Sequence, residues 1–330
     1  MNLVQHEKPV WQVSVNNYTQ VPLICSASAD KTAKIVDISG KILKNIEGVH
    51  DKSIRTASWR PNAANPVLAL GSFDSTISIF ALESGNWEFL AQLEGPDNEI
   101  KRVSWSASGT YLATCSRDKT VWIWEIDEDG EDFECVAVLQ EHSQDVKHVA
   151  WHPKEELLAS CSYDNTIRLW RQDDDEWLCV SILEGHDSTV WGCDFDPEAD
   201  SMRLVSCSDD LTVKIWSMVS RNGGYDNSGE RLPSVARWDV ASEEWEVEKV
   251  LPIAHEGTIY AVKWGPNGLI ASAGADGRIV IYNRDTSDWK VHKVIENAHG
   301  VYEINSLDWS EDKLVSGGDD GSAKIWNVSS

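Results

Sequence analysis

Apolar residues in this chain come in short alternating runs of four to seven, separated by Gly, Asp, Asn or Pro, which is the pattern of strands and tight turns. The stretch from Asp145 to Gly185 shows it well: DVKHVAWHP, then LLASCSYD, then TIRLWRQ, then EWLCVSILEG. Helical periodicity is nowhere sustained. Setting the segments CSASADKTAKIV, LGSFDSTISIF, CSRDKTVWIW, CSYDNTIRLW, CSDDLTVKIW, AGADGRIVIY and GGDDGSAKIW under one another exposes a repeat. Their aligned aspartates, Asp30, Asp74, Asp118, Asp164, Asp210, Asp276 and Asp320, are spaced 44, 44, 46, 46, 66 and 44 residues apart. Seven units of four short strands predict an all-β, seven-bladed propeller formed by residues 1–330 as one domain, because a closed ring leaves no long strand edge exposed. The long interval places an insertion in blade five, about 217–244, whose SRNGGYDNSGE reads as a mobile loop. The chain ends on a third strand, so residues near Leu3 to Gln5 are expected to supply the missing outer strand of the last blade.

These repeats resemble the WD-repeat β-propeller family over the whole chain. The resemblance implies a buried lock in each blade, in which a His before strand A, a Ser or Thr on strand B, an Asp in the B–C turn and a Trp on strand C hydrogen-bond in series. Complete sets are His142, Ser160, Asp164, Trp170; His186, Ser206, Asp210, Trp216; and His299, Ser316, Asp320, Trp326. Elsewhere Val36, Phe80 and Tyr282 replace the Trp, Leu70 the Ser, and Pro96 the His. Blades one to three are therefore expected to be less firmly locked.

Charge narrows the partners. With 29 Lys+Arg against 54 Asp+Glu the net charge is −25, so neither nucleic acid nor an anionic membrane is an expected partner. No run of 18 apolar residues is present, and MNLVQHEKPV lacks the features of a secretory signal. Seven Cys, an odd number without an export signal, are expected to be reduced, in the cytosol or the nucleus. Cys115, Cys161 and Cys207 recur once per blade and read as small core residues, so neither a metal site nor a cofactor is expected. Seventeen Trp suggest one structural role used many times. A His, Ser and Asp trio present in several blades is structural, and without GxSxG or a phosphate-cradling Gly-rich loop the chain is not expected to be an enzyme.

The two ends of the ring differ in charge. The A–B and C–D loops are acidic, with Asp127, Glu128, Asp129, Glu131, Asp132, Asp173, Asp174, Asp175, Glu176, Glu155, Glu156, Asp196, Glu198, Asp200, Glu311 and Asp312. At the other end, the residues before each aligned Asp and those opening each strand A include Arg117, Arg55, Lys101 and Lys147 among the cations. Trp11, Trp191, Tyr260, Phe73 and Tyr163 supply aromatic rings. A basic and aromatic rim on an acidic protein predicts a peptide-binding mouth suited to an acidic segment or a chain-terminal carboxylate. Arg117 is the sharpest candidate, since its guanidinium can fork onto a carboxylate.

A closer resemblance rests on RTASWRPN, YLATCSRDKTVWIWE, LQEHSQDVKHVAWHP, GHDSTVWGCDFD and AHGVYEINSLDW. These look like the fungal-type WD-repeat proteins of the cytosolic iron-sulfur protein assembly machinery. That resemblance implies a non-catalytic adaptor that helps deliver [4Fe-4S] clusters to cytosolic and nuclear apoproteins. Implied partners are an iron-only-hydrogenase-like cluster carrier, a MIP-eighteen family protein, a HEAT-repeat scaffold and apo iron-sulfur clients. It also implies functional importance for Arg117 in the CSRDK segment. A WD-repeat scaffold of another pathway, reading peptides or signals, is the alternative.

Overall fold

The computed structural model describes residues 1–127, 130, 132–174, 176–198, 202–222, 242–265, 268–286 and 288–328. Among them, 28 strands form seven antiparallel four-stranded sheets. The blades span 10–46, 54–94, 100–139, 146–183, 190–250, 259–295, and 304–327 together with 2–5. Blade four is representative, with strand A Val146–Trp151, strand B Leu157–Ser162, strand C Ile167–Asp173 and strand D Glu176–Leu183. Its strand B is buried at every position, because neighbouring blades cover both faces. Strand D of blade two, Asn86–Glu94, is mostly exposed and forms the outer wall. Asn2–Gln5 pairs antiparallel with Ser322–Asn327, so the first strand of the chain closes the last blade as expected.

The core lies between blades. Each of seven apolar clusters joins two consecutive blades, including one that joins blade seven (Val315, Ala323, Ile325) to blade one (Val10, Val13, Ile24). Tryptophan has three recurrent positions in this packing instead of the single one expected. Trp124, Trp170, Trp216 and Trp326 stand on strand C in the lock. Trp59, Trp105, Trp151, Trp264 and Trp309 lie at the inner end of strand A; Trp59 Nε1 donates to the Ser14 carbonyl (3.0 Å) and Trp151 Nε1 to that of Ser104 (2.9 Å), each in the preceding blade. Strand D rings pack against these, as in Trp59–Trp87, Trp151–Trp177 and Trp264–Trp289 at 5.5–6.0 Å. Such aromatic pairs add to the area they bury.

In blade four, His142 Nδ1 lies 2.8 Å from Asp164, His142 Nε2 lies 2.8 Å from Ser160 Oγ, and Trp170 Nε1 donates to the same Oγ at 2.8 Å. Blades five and seven repeat this geometry through His186, Asp210, Ser206 and Trp216, and through His299, Asp320, Ser316 and Trp326. The Asp also caps its own turn: Asp164 Oδ1 accepts from the backbone N–H and the hydroxyl of Thr166. The serines are buried and already bonded, which marks the trio as a lock and not a nucleophile.

The early blades are more completely locked than their sequences imply. In blade two, Leu70 and Ser78 face each other across the B–C hairpin. Ser78 supplies the hydroxyl from the other strand, 2.8 Å from His50 Nε2. Blade one keeps the His6–Asp30 and His6–Ser26 contacts at 3.0 and 2.8 Å and lacks only the indole. In blade three, Trp122 stacks on Trp124 at 5.7 Å and donates to Thr120 Oγ1 at 2.9 Å. A threonine at this turn position is what His50 Nδ1 meets in blade two, so Trp122 stands in for the histidine lost at Pro96. Tyr282 approaches Ser272 in blade six with a hydroxyl in place of an indole.

The lock sets an acid limit on stability. Burial raises the Asp164 and Asp210 carboxyls, but hydrogen bonds from His142 and Thr166, and from His186 and Thr212, outweigh it and hold both well below the usual range. For Asp320 the balance of burial against Ser322, His299 and Lys324 gives about 2. A carboxyl depressed by folding stabilises above its unfolded value near ~3.9 and loses that contribution as pH falls through its folded value. Burial lowers His6, His186 and His299, so these too oppose protonation in the folded state. Relief of the −25 charge acts oppositely between neutrality and the isoelectric region, so the clear loss falls below about pH 4. Melting followed by circular dichroism should show a steep drop there, and equal melting temperatures at about pH 3 and pH 6 would contradict the lock's role.

The blade-five insertion is narrower than its composition suggests. Residues Ser217–Asn222 and Ser242–Glu244 continue the strands Val213–Asn222 and Ser242–Val250. They are pinned because Arg171 and Arg221 both bridge Glu155 and Glu243, at 2.5–3.0 Å. Residues 223–241, including Trp238, lie outside the described residues.

Candidate functional site

Strand A of each blade opens with a register shift, as between Ile100 and Arg102 or Val146 and His148. A bulge brings two successive side chains toward the same side, so blades three to seven each present a consecutive pair to the central channel, while Gln12 and Thr56 of the first two blades stay buried. The first ring holds Trp11, Arg55, Lys101, Lys147, Trp191, Tyr260 and Asn305. The second ring includes Arg102, His148, Gly192, Ala261 and Ser306. Together with Phe73 they line a cavity of about 220 Å³ at the channel mouth. Arg117 and Tyr163 lie outside this lining, on the exposed rim, with more than half of each in solvent.

Cations and rings alternate around the mouth. Arg55 lies 5.4 Å from the Trp11 ring, Lys101 4.4 Å from Phe73, and Lys147 5.1 and 5.4 Å from Tyr163 and Trp191. Trp11–Phe73 and Trp191–Tyr260 extend the array at 6.4 and 5.1 Å. The B–C turns are tied to the same elements: Phe73 N donates to Ser53 O, Arg117 N to Glu99 O and Tyr163 N to Asp145 O. Those tied acids temper part of the charge. Glu99 is 3.8 Å from Lys101 and 3.4 Å from Arg117, and Asp145 is 3.3 Å from Lys147. The Arg117 pair is exposed and of a kind that contributes only about 0–1 kcal/mol, whereas the two lysine pairs are partly buried; each still keeps some exposure, so an incoming carboxylate can compete.

Arg55 is different. Its guanidinium donates to the Trp11 carbonyl at 2.9 Å, and no described carboxylate forms an ion pair with it. Burial, reinforced by the Arg102 charge, lowers its pKa to about 10. Arg102 projects from the second ring with its buried Nε unpartnered. Burial lowers Lys101 in spite of Glu99. Uncompensated positive charge in a partly enclosed cavity favours an anion. Deeper in the channel the sign is balanced, since Lys263 meets Asp194 at 3.1 Å.

Sequence reasoning missed Arg102, His148 and Lys263. The doublets Lys101-Arg102 and Lys147-His148 carried the available signal, but strict strand alternation sends the second member away from the axis, and only the bulge returns it. Cys115, Cys161 and Cys207 are buried core residues, as read. Strand B of blade four packs on strand A of blade five, so Cys161 and Cys193 come together with His148, their donor atoms within 4.8 Å of one another. At the opposite end, described acids are partly neutralised, Glu155 by Arg171 and Arg221 and Asp196 by Arg203. Glu128, Asp129, Glu131, Asp175 and Asp200 lie outside the described residues.

A closed ring of four-stranded blades, six of them held by a His, hydroxyl and Asp network, defines a WD-repeat β-propeller. Residues 1–37, 87–125, 133–171, 177–217, 245–283 and 290–327 match the WD domain, G-beta repeat family. The unmatched stretch 38–86 contains blade two's altered lock. Relatives named probable cytosolic iron-sulfur protein assembly protein 1 include those of Yarrowia lipolytica, 51% identical over 327 residues, and Kluyveromyces lactis, 45% over 341 residues. That of Candida albicans is 44% identical over 376 residues. Each alignment covers 98% of this chain and 96–97% of the relative. The chain belongs to this fungal family of cytosolic iron-sulfur assembly proteins.

Proposed function

We propose that the protein is a non-catalytic adaptor of cytosolic iron-sulfur protein assembly, which holds partner proteins at its basic and aromatic mouth. The observation that carries this reading is the alternating array from Trp11 through Arg55, Phe73, Lys101, Lys147 and Trp191 to Tyr260 on a chain of net charge −25. Aromatic anchors with an arginine are the composition of binding hot spots, and the two lysines add point charges. An acidic segment or a chain-terminal carboxylate is the proposed occupant, with its apolar side chain against Phe73, Tyr163 or Trp191. The proposed partners are the MIP-eighteen family protein, the HEAT-repeat scaffold, the iron-only-hydrogenase-like carrier and apo clients. In this reading the clusters pass to cytosolic and nuclear clients without being held by the propeller.

Arg117 tests the reading. Its side chain is 58% exposed and makes one long contact, 3.4 Å to Glu99, so Arg117→Glu should leave the melting temperature unchanged. Cells carrying that variant should show lower activity of cytosolic and nuclear iron-sulfur enzymes, and less of the carrier and MIP-family protein should co-purify. Unchanged client activity at normal protein abundance removes Arg117 from the site. Partners of an unrelated pathway in the wild-type purification would favour a scaffold of another kind.

A further inference from the structure

Three soft donor atoms meet beneath the channel mouth. His148, on strand A of blade four, stands directly opposite Cys161 on strand B. Cys193 comes from strand A of blade five, and its Sγ lies 3.9 Å from His148 Nδ1. All three donor atoms lie within 4.8 Å of one another. An ion held by sulfur at ~2.3 Å and imidazole nitrogen at ~2.0 Å requires donors roughly 3.5–4 Å apart. Closing around an ion therefore asks for about 1 Å of movement or less.

The donor set selects the ion. Two thiolates and an imidazole favour Zn²⁺ or Cu⁺ and disfavour Mg²⁺ and Ca²⁺, which prefer oxygen. Both cysteines are fully buried, whereas His148 lines the cavity. Gly192, next to Cys193, lines the same cavity. We propose that His148, Cys161 and Cys193 form a binding site for a soft d¹⁰ cation, Zn²⁺ or Cu⁺, that clamps blade four to blade five. On binding, each thiol releases its proton to solvent, and two metal–thiolate bonds and one metal–imidazole bond form. The site is then neutral with Zn²⁺ and singly negative with Cu⁺. The nearby charges of Arg102 and Lys263 favour the negative form and leave the neutral one unaffected. His148 also lines the mouth cavity, but the proposal does not rest on partner binding there.

The test uses the full-length, reduced and metal-stripped protein. Co²⁺, standing in for Zn²⁺, should give a saturable thiolate-to-cobalt charge-transfer band at one ion per chain. Zn²⁺ should displace it, and Cu⁺ is assayed separately by competition with a chromophoric chelator. Cys193→Ser and Cys161→Ser should abolish uptake, and His148→Gln should weaken it at least about tenfold. Cys25→Ser, in blade one, and Cys135→Ser, on the outer wall, should leave uptake unchanged. Because His148 is only half-buried, its Gln variant tests the site even if a buried Ser variant fails to fold. Uptake of either ion with this residue dependence supports the site, and the ion bound more tightly identifies its metal. Absence of saturable uptake of both ions overturns the proposal, as does uptake that survives Cys193→Ser in a folded protein or disappears with Cys135→Ser.

Discussion

Trp170→Ala is expected to lower the free energy of unfolding by about 3–5 kcal/mol, while Trp170→Phe lowers it by about 1–3 kcal/mol. Trp170 is 1% exposed and packs in the cluster between blades three and four. Alanine empties that volume and leaves the Ser160 hydroxyl without its indole donor, so transfer, cavity and hydrogen-bond losses combine. Phenylalanine retains most of the ring and loses only the N–H. Blade two already accommodates this exchange, since Phe80 occupies the equivalent position, is 5% exposed and packs against Phe89 at 5.6 Å. Urea unfolding of the two variants checks the expectation. An alanine variant within about 1 kcal/mol of the parent, or a phenylalanine variant as weak as alanine, would show that the lock contributes little.

Lys101→Glu combined with Lys147→Glu is expected to weaken binding of the partner's acidic segment by about 2–4 kcal/mol, or roughly 30- to 700-fold. Each lysine sits over an aromatic ring and beside one carboxylate. Reversal therefore removes a cation, places a new anion next to Glu99 or Asp145, and repels the incoming carboxylate. Folding should change little, because the lost ion pairs are near the surface. The wild-type interaction should weaken with added salt, since part of it is long-range attraction to a positive mouth on a negative molecule. The reversed variant should show little of that dependence.

Much of the architecture is legible because an Asp-centred turn returns every 44–46 residues, save for the 66 that span the blade-five insertion, and must carry the same hydrogen bonds each time. Closure by Asn2–Gln5, which pairs with Ser322–Asn327, matches the three strands legible in the seventh repeat. The first ring of the mouth is equally readable, being set by a fixed offset from the lock. What escapes the sequence is whatever depends on register or on contact between blades. The strand A bulge turns Arg102 and His148 inward against simple alternation. Ser78 replaces a missing hydroxyl from across a hairpin, and Trp122 fills the space of an absent imidazole from strand C instead of the loop. Cys161 and Cys193 are 32 positions apart and converge only because one blade leans on the next.

The most direct measurement is a titration of the co-purifying partner assembly with three forms of the protein. These are the wild type, the Lys101→Glu/Lys147→Glu variant, and a variant reversed at the opposite end by Glu311→Lys/Asp312→Lys, where both residues are exposed. The mouth variant should lose at least about 30-fold in affinity, and the opposite-end variant should stay within about twofold of the wild type. Full affinity in the mouth variant, with loss confined to the opposite-end variant, would place the partners on the acidic face and contradict the account.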